Sequence, residues 1–157
     1  GGASYALSLL QQNLPVMPPL AARYHCPEPR LLLGQSLRGI ATSCIDISDG
    51  LLTDIAQLGA TSGLGARLTR HAIPLWPDLR AVIAHDAHAW AHGLSGGDDY
   101  ELAFTAPPCE RPAIAALASQ LDLPLTRIGE MVEGSGIALI NANGEALPLP
   151  HTGWEHA

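Results

Sequence analysis

Lysine is missing from this chain. All eight basic residues are arginines, set against fifteen acids, so the net charge is −7. Two function classes fall away with it: a phosphate-binding loop of the Walker type needs its lysine, and a nucleic-acid surface needs an excess of positive charge. If phosphates bind here, cations must do much of the neutralising. Cysteine is scarce as well. Cys26, Cys44 and Cys109 are odd in number and widely spaced, with no CxxC pair, which argues against a disulfide framework or zinc site and makes a reducing cytoplasm the default. No apolar run approaches the length of a membrane span. The opening residues Gly1-Gly2-Ala3-Ser4 offer neither an initiator Met nor a basic segment ahead of an apolar one, so no signal peptide is expected and the chain reads as a fragment. What is present suits one compact domain: 157 residues, 47% hydrophobic and 15% charged, are enough to bury a real core.

The chain is organised around Ser43-Cys44-Ile45-Asp46-Ile47-Ser48-Asp49-Gly50-Leu51-Leu52. A strand's period of two puts Ile45 and Ile47 on one face and Asp46 with Ser48 on the other. From Leu51 onward, Leu51, Leu52, Ile55 and Leu58 recur at helical spacing, so Asp46, Ser48 and Asp49 gather where a strand ends and a helix begins. Ser48 or Asp49 fits the ordinary role of capping orphan N–H groups. Asp46 is less easily explained that way, because a carboxylate in an apolar strand is costly unless it faces a cleft, a cation or a cluster of donors. An EF-hand calcium loop does not fit: Gly50 comes one position early and Gln57 stands where the bidentate Glu belongs. Magnesium fits better, since it takes one or two carboxylates and completes its shell with water and nucleotide phosphates.

The rest of the chain frames this stretch. Ala6 to Gln12 reads as the end of a helix, and Pro15, Pro18 and Pro19 predict an extended connector, so residues 1–28 are expected to be a leading helix and proline-rich linker, with a domain over 29–157. Pro29-Arg30 opens a helical pattern with a stop at Gly39, and Gly65 to Thr69 reads as a strand. One helix is expected from Asp78 to Ala91, with His85, His88 and His92 together on its polar side, either as a transition-metal site or as a solvated face. A second unusual segment is Leu94-Ser95-Gly96-Gly97-Asp98-Asp99-Tyr100-Glu101-Leu102. It is either a glycine turn with solvated acids or a second acidic site, and it leads into a strand through Thr105. Arg111 to Gln120 reads as a helix, Leu125 to Val132 as a strand, and Ile137 to Ile140 as its hairpin partner, with Asn143-Gly144 a strong turn signal. Trp154, close to the terminus, serves either as a packing plug or as a stacking surface for a flat ligand. These elements predict an α/β (α+β) domain whose mixed or antiparallel sheet of about four to six strands is covered by helices mainly on one side.

Taken together, Asp46-Ile47-Ser48-Asp49-Gly50-Leu51, Ser95-Gly96-Gly97-Asp98-Asp99-Tyr100-Glu101-Leu102, Arg127-Ile128-Gly129 and Gly153-Trp154-Glu155-His156 resemble the C-terminal half of the thiamine-monophosphate kinase family. Pro29-Arg30 through Gly39 resembles the helix that precedes the DISDGL motif in that family. DISDGL-like motifs alone also admit other ATP-using members of the same superfamily, such as aminoimidazole-ribonucleotide synthetase, selenophosphate synthetase or a hydrogenase-maturation dehydratase. A noncatalytic domain that binds cations or a partner protein is a further alternative. The resemblance implies transfer of the γ-phosphoryl group of ATP to thiamine monophosphate with Mg²⁺. It assigns Asp46 and Asp49 to the metal, Ser48 to ATP, and Asp98 and Trp154 to the thiamine substrate. It implies, too, a missing N-terminal half that carries most of the nucleotide site and a homodimer interface. The family's terminal motif usually places an aromatic after His, whereas this chain stops at Ala157.

Overall fold

The computed structural model describes residues 1–150. In chain order its elements are α1 (Gly2–Gln11), α2 (Pro18–His25), α3 (Leu31–Ser36), β1 (Ser43–Asp46), α4 (Leu51–Ala60), β2 (Leu64–Thr69), α5 (Pro77–Ile83), α6 (Trp90–Ser95), β3 (Leu102–Thr105), α7 (Arg111–Leu121), β4 (Gly129–Glu133), β5 (Ile137–Ile140) and β6 (Ala146–Leu147). The expected mixed sheet is present, with four strands in the order β4-β2-β5-β6, while β1 and β3 form a separate antiparallel ribbon. Within the sheet β2 runs antiparallel to β4 and parallel to β5.

The predicted hairpin between residues 125–132 and 137–140 is split, because β2 lies between β4 and β5 and pairs with both. Glycine makes the crossing possible. A Cβ on Gly65 would sit 2.9 Å from the Gly136 carbonyl oxygen, so the turn after β4 crosses the end of β2 at a point where β2 has no side chain. The Asn143-Gly144 turn forms as predicted: the Asn141 side-chain oxygen accepts from the Asn143 and Glu145 amides, each at 2.9 Å.

Two apolar clusters hold these layers. Leu52 and Ile55 of α4 pack with Ala66, Leu68 and Leu139 of the sheet and Leu94 of α6. Leu33 and Leu37 meet Leu117 of α7 beside Leu102 and Phe104 of the ribbon. Each fully buried aliphatic side chain contributes about 1.5–3 kcal/mol by leaving water.

Two expected elements differ. Pro18 and Pro19 do not extend the chain but open α2, occupying first-turn positions where the missing N–H groups would be orphans in any case. The single helix over 78–91 is broken: α5 ends at Ile83, and a 3-10 turn over Ala87–Ala89 precedes α6. Asp86 causes the break. Its backbone is extended, and its carboxylate accepts the His88 amide at 2.9 Å, competing with helical hydrogen bonding.

Glu101 fastens α2 and α3 to the ribbon. Its Oε2 accepts from Arg30 Nε at 2.8 Å, its Oε1 from Arg30 Nη2 at 2.7 Å, and Arg23 Nη2 from α2 donates to Oε1 as well. Beyond the ribbon proper, pairing continues into the two unusual segments. The Ile47 amide donates to the Glu101 carbonyl at 2.8 Å, the Tyr100 amide to the Ile47 carbonyl at 2.9 Å, and the Asp98 amide to the Ser48 carbonyl at 2.9 Å. A Cβ on Gly97 would run into the Ser48 carbonyl oxygen, so this approach excludes any larger residue.

Replacing Gly97 with alanine should therefore destabilise the protein by about 1–3 kcal/mol, the usual cost of forcing extra volume into a closed contact. Urea unfolding checks this, and an unchanged midpoint counts against the contact. A pH series tests the Glu101 clamp. Burial pushes the Glu101 carboxyl up, but the hydrogen bonds and charges of Arg30 and Arg23 together outweigh it and hold the group below the usual range. Stability from this group is thus present above its unfolded pKa and lost as pH falls through the lowered folded value. Between about pH 5 and pH 3, Glu101→Gln should lose less of its own pH 7 stability than the parent does.

Candidate functional site

Strand alternation on β1 buries Ile47 and leaves Cys44 and Asp46 exposed. Asp46 thus ends the strand on the solvent face. Ser48, Asp49 and Gly50 make the turn, and Gly50, with φ of +122°, precedes the first residue of α4. Across the ladder, Asp98 and Tyr100 have φ of +63° and +49°, left-handed values that a residue with a side chain adopts at a cost of about 1–3 kcal/mol. Their exposed side chains meet: the Tyr100 hydroxyl donates to Asp98 Oδ1 at 3.4 Å.

Both acidic turns act on the Tyr100 hydroxyl. The charge of Asp98 raises the Tyr100 hydroxyl above its ordinary range, desolvation and the hydrogen bond to Asp98 add to this, and Asp46 and Asp49 contribute in turn. Three carboxylates from two turns therefore act on one phenol, which stays protonated and able to donate. Asp46, Asp49 and Asp98 thus all bear on the Tyr100 hydroxyl, and the Asp98 amide holds the Ser48 carbonyl at 2.9 Å. Among the described residues no group of three or more His, Cys, Asp or Glu forms a ready metal cage. The donor chemistry of Asp46 and Asp49, hard carboxylate oxygens beside an open face, fits an ion such as Mg²⁺ that leaves much of its shell to water and phosphate.

The adjacent acids Asp98 and Asp99 have different roles. Asp98 is exposed, whereas the Asp99 side chain, 11% accessible, accepts from the Ala3 amide at 3.3 Å. Asp99 is thus not a solvated acid but the anchor of α1. His92 turns to α1: its Nδ1 lies 3.0 Å from Ser4 Oγ and its ring 5.6 Å from that of Tyr5. Burial lowers its pKa. Among the described residues, the three histidines do not assemble a metal site. Trp154 lies outside the described residues.

Sequence reasoning missed Asp54. It is 2% exposed, on the inner face of α4, and its Oδ2 accepts the Asp49 amide at 3.1 Å and the Gly50 amide at 3.0 Å. Burial pushes its carboxyl up, against the pull of the Gly50 and Asp49 amides, while the Asp49 charge raises it and the Ser48 amide lowers it. A signal was available in the helix period. Asp54 stands three residues after Leu51 and four before Leu58, within the apolar stripe, where an acid needs buried donors.

Comparison with known proteins places this geometry. The family model described as "AIR synthase related protein, C-terminal domain" matches residues 9–141. A thiamine-monophosphate kinase of Escherichia coli O157:H7 is 38% identical over 163 residues, covering 99% of this chain and 49% of the relative. The crystal structure of thiamine-monophosphate kinase from Stenotrophomonas maltophilia K279a superposes with a TM-score of 0.83 at 38% identity, over 94% of this chain and 48% of that one. A structure of AaThiL complexed with AMPPCP and TMP gives 0.78 at 26% identity, over 99% and 48%. The chain spans about half the length of the relatives it matches. By its fold, its motifs and this match, the chain belongs to the AIR synthase-related proteins, as their C-terminal domain.

Proposed function

We propose that this chain is the C-terminal half of a kinase that transfers the γ-phosphoryl group of ATP to thiamine monophosphate, giving thiamine diphosphate and ADP. The observation that carries the reading is the direct pairing of the two acidic turns, across which the charges of Asp98, Asp46 and Asp49 bear on the Tyr100 phenol. The similarity to thiamine-monophosphate kinases along 99% of the chain supports the same reaction.

The residues suit the chemistry. The acceptor is a phosphate oxygen, already anionic at neutral pH, so no general base is required and the task is positioning and charge neutralisation. Two phosphorylated molecules repel each other strongly, and carboxylates relieve that repulsion only by holding cations. Asp46 and Asp49 would hold Mg²⁺, which when bound neutralises and orients phosphate oxygens. Ser48, at the same turn, contacts ATP. Asp98 faces the substrate, where a carboxylate suits a cationic thiazolium and an amino-bearing pyrimidine. Trp154 packs against that substrate. A companion N-terminal half supplies most of the nucleotide site and the interface of a homodimer.

Two measurements follow. Asp46→Asn in the whole protein should lower Mg-ATP-dependent formation of thiamine diphosphate by about 100-fold or more with the circular dichroism spectrum unchanged, on the scale of losing one strong electrostatic group at a reacting centre. Undiminished turnover rejects the metal role and favours a domain whose acids bind a partner. The 157-residue chain by itself should show no kinase turnover. Robust activity from it, with whole enzyme excluded, shows that the companion half is not needed.

A further inference from the structure

We infer that Asp54 is a positioning residue of the acidic site: its buried carboxylate holds the Asp49–Gly50 turn and so directs the Asp49 side chain toward the face shared with Asp46. This rests on the reading of Asp49 as a magnesium-binding residue.

The pattern of its bonds separates this role from ordinary helix capping. A capping side chain stands at the residue before the helix and accepts from amides inside the first turn. The residue before α4 is Gly50, which has no side chain to offer, and no side-chain cap bond is made there. Asp54 instead reaches back to the amide of Gly50, as the acceptor half of a capping box does, and beyond it to the amide of Asp49, which lies outside the helix in the turn. What it secures is the loop.

The second strand of the argument is anion geometry. Successive amides at a turn leading into a helix N-terminus form a concavity that commonly holds a phosphate. Here the protein's own carboxylate fills it, 2% exposed beneath the turn. Those amides are therefore not available to a nucleotide, and a phosphate's charge must instead be met by cations held on the carboxylates above. From the opposite side the Asp98 amide holds the Ser48 carbonyl at 2.9 Å. Asp49 thus lies next to two restraints, one on the peptide before it and one on its own amide and the next. Removing Asp54 releases the second and orphans two N–H groups.

Direct binding of Mn²⁺ in place of Mg²⁺, followed by electron paramagnetic resonance on the whole protein without nucleotide, tests this. Asp54→Ala should remain folded, with a lower melting temperature, and should weaken Mn²⁺ binding at least tenfold. Asp54→Asn, which keeps an acceptor oxygen for the two amides, should bind within about threefold of the parent, in line with the 10–100-fold scale of outer-shell effects on metal affinity. A folded Asp54→Ala with parental affinity overturns the inference, and so does a folded Asp54→Asn that loses tenfold, since the charge and not the hold would then matter. If Asp54→Ala does not fold, Asp54→Ser takes its place with the same two outcomes. Failure of both to fold overturns the inference in favour of a purely structural role. A parent that binds no Mn²⁺ defeats the metal reading and this inference together, whereas a parent that binds with an unaltered Asp54→Ala defeats this inference alone.

Discussion

Two segments some fifty residues apart in sequence, Ile47–Ser48 and Asp98–Glu101, are joined by three backbone hydrogen bonds of 2.8–2.9 Å. Everything chemical in the domain depends on that seam. Each segment alone is an acidic turn of an ordinary kind, and acids in turns are usually solvated. Joined, they bring the charges of Asp98, Asp46 and Asp49 to bear on the Tyr100 phenol. The seam also carries two left-handed residues with side chains, Asp98 and Tyr100. Strained backbone beside exposed carboxylates is the pattern that makes this seam the candidate site.

The surroundings show how the seam is stabilised. Behind it, α4 packs on the sheet with Leu52 and Ile55, so the turn before that helix rests on the larger of the two apolar clusters described. To one side, Glu101 is matched by Arg23 and Arg30, two of only eight cations in a chain of net charge −7. Charge is thus sorted within a short stretch. Glu101 and Asp99 are paired with the protein itself, whereas Asp98 faces solvent.

Much of this was legible in the residues, and the failures have a common origin. The alternation Ile45, Asp46, Ile47 gave the strand and its faces, because period two is local and sterically enforced. Asn143-Gly144 gave its turn for the same local reason. The insertion of β2 between β4 and β5 was not legible, since sheet neighbours are chosen by long-range fit and the permissive residue, Gly65, carries no pattern of its own. Asp86 and Asp54 show the limit from another direction. One acid broke a helix by capping the next turn and the other sat within an apolar stripe, and in both cases the deciding partner was a backbone amide, which sequence does not display. Pro18 and Pro19 read as a connector although first-turn prolines are compatible with a helix. The division of labour between Asp98 and Asp99 likewise required knowing where α1 lies.

That last pair has a mechanical consequence. Asp99 ties the beginning of α1 to the peptide next to Asp98, and Asp98 is among the most conformationally strained points of the described backbone. The neighbour of the exposed carboxylate is therefore held by a contact 96 residues away in sequence, and the geometry at Asp98 is tied to the seating of the first helix.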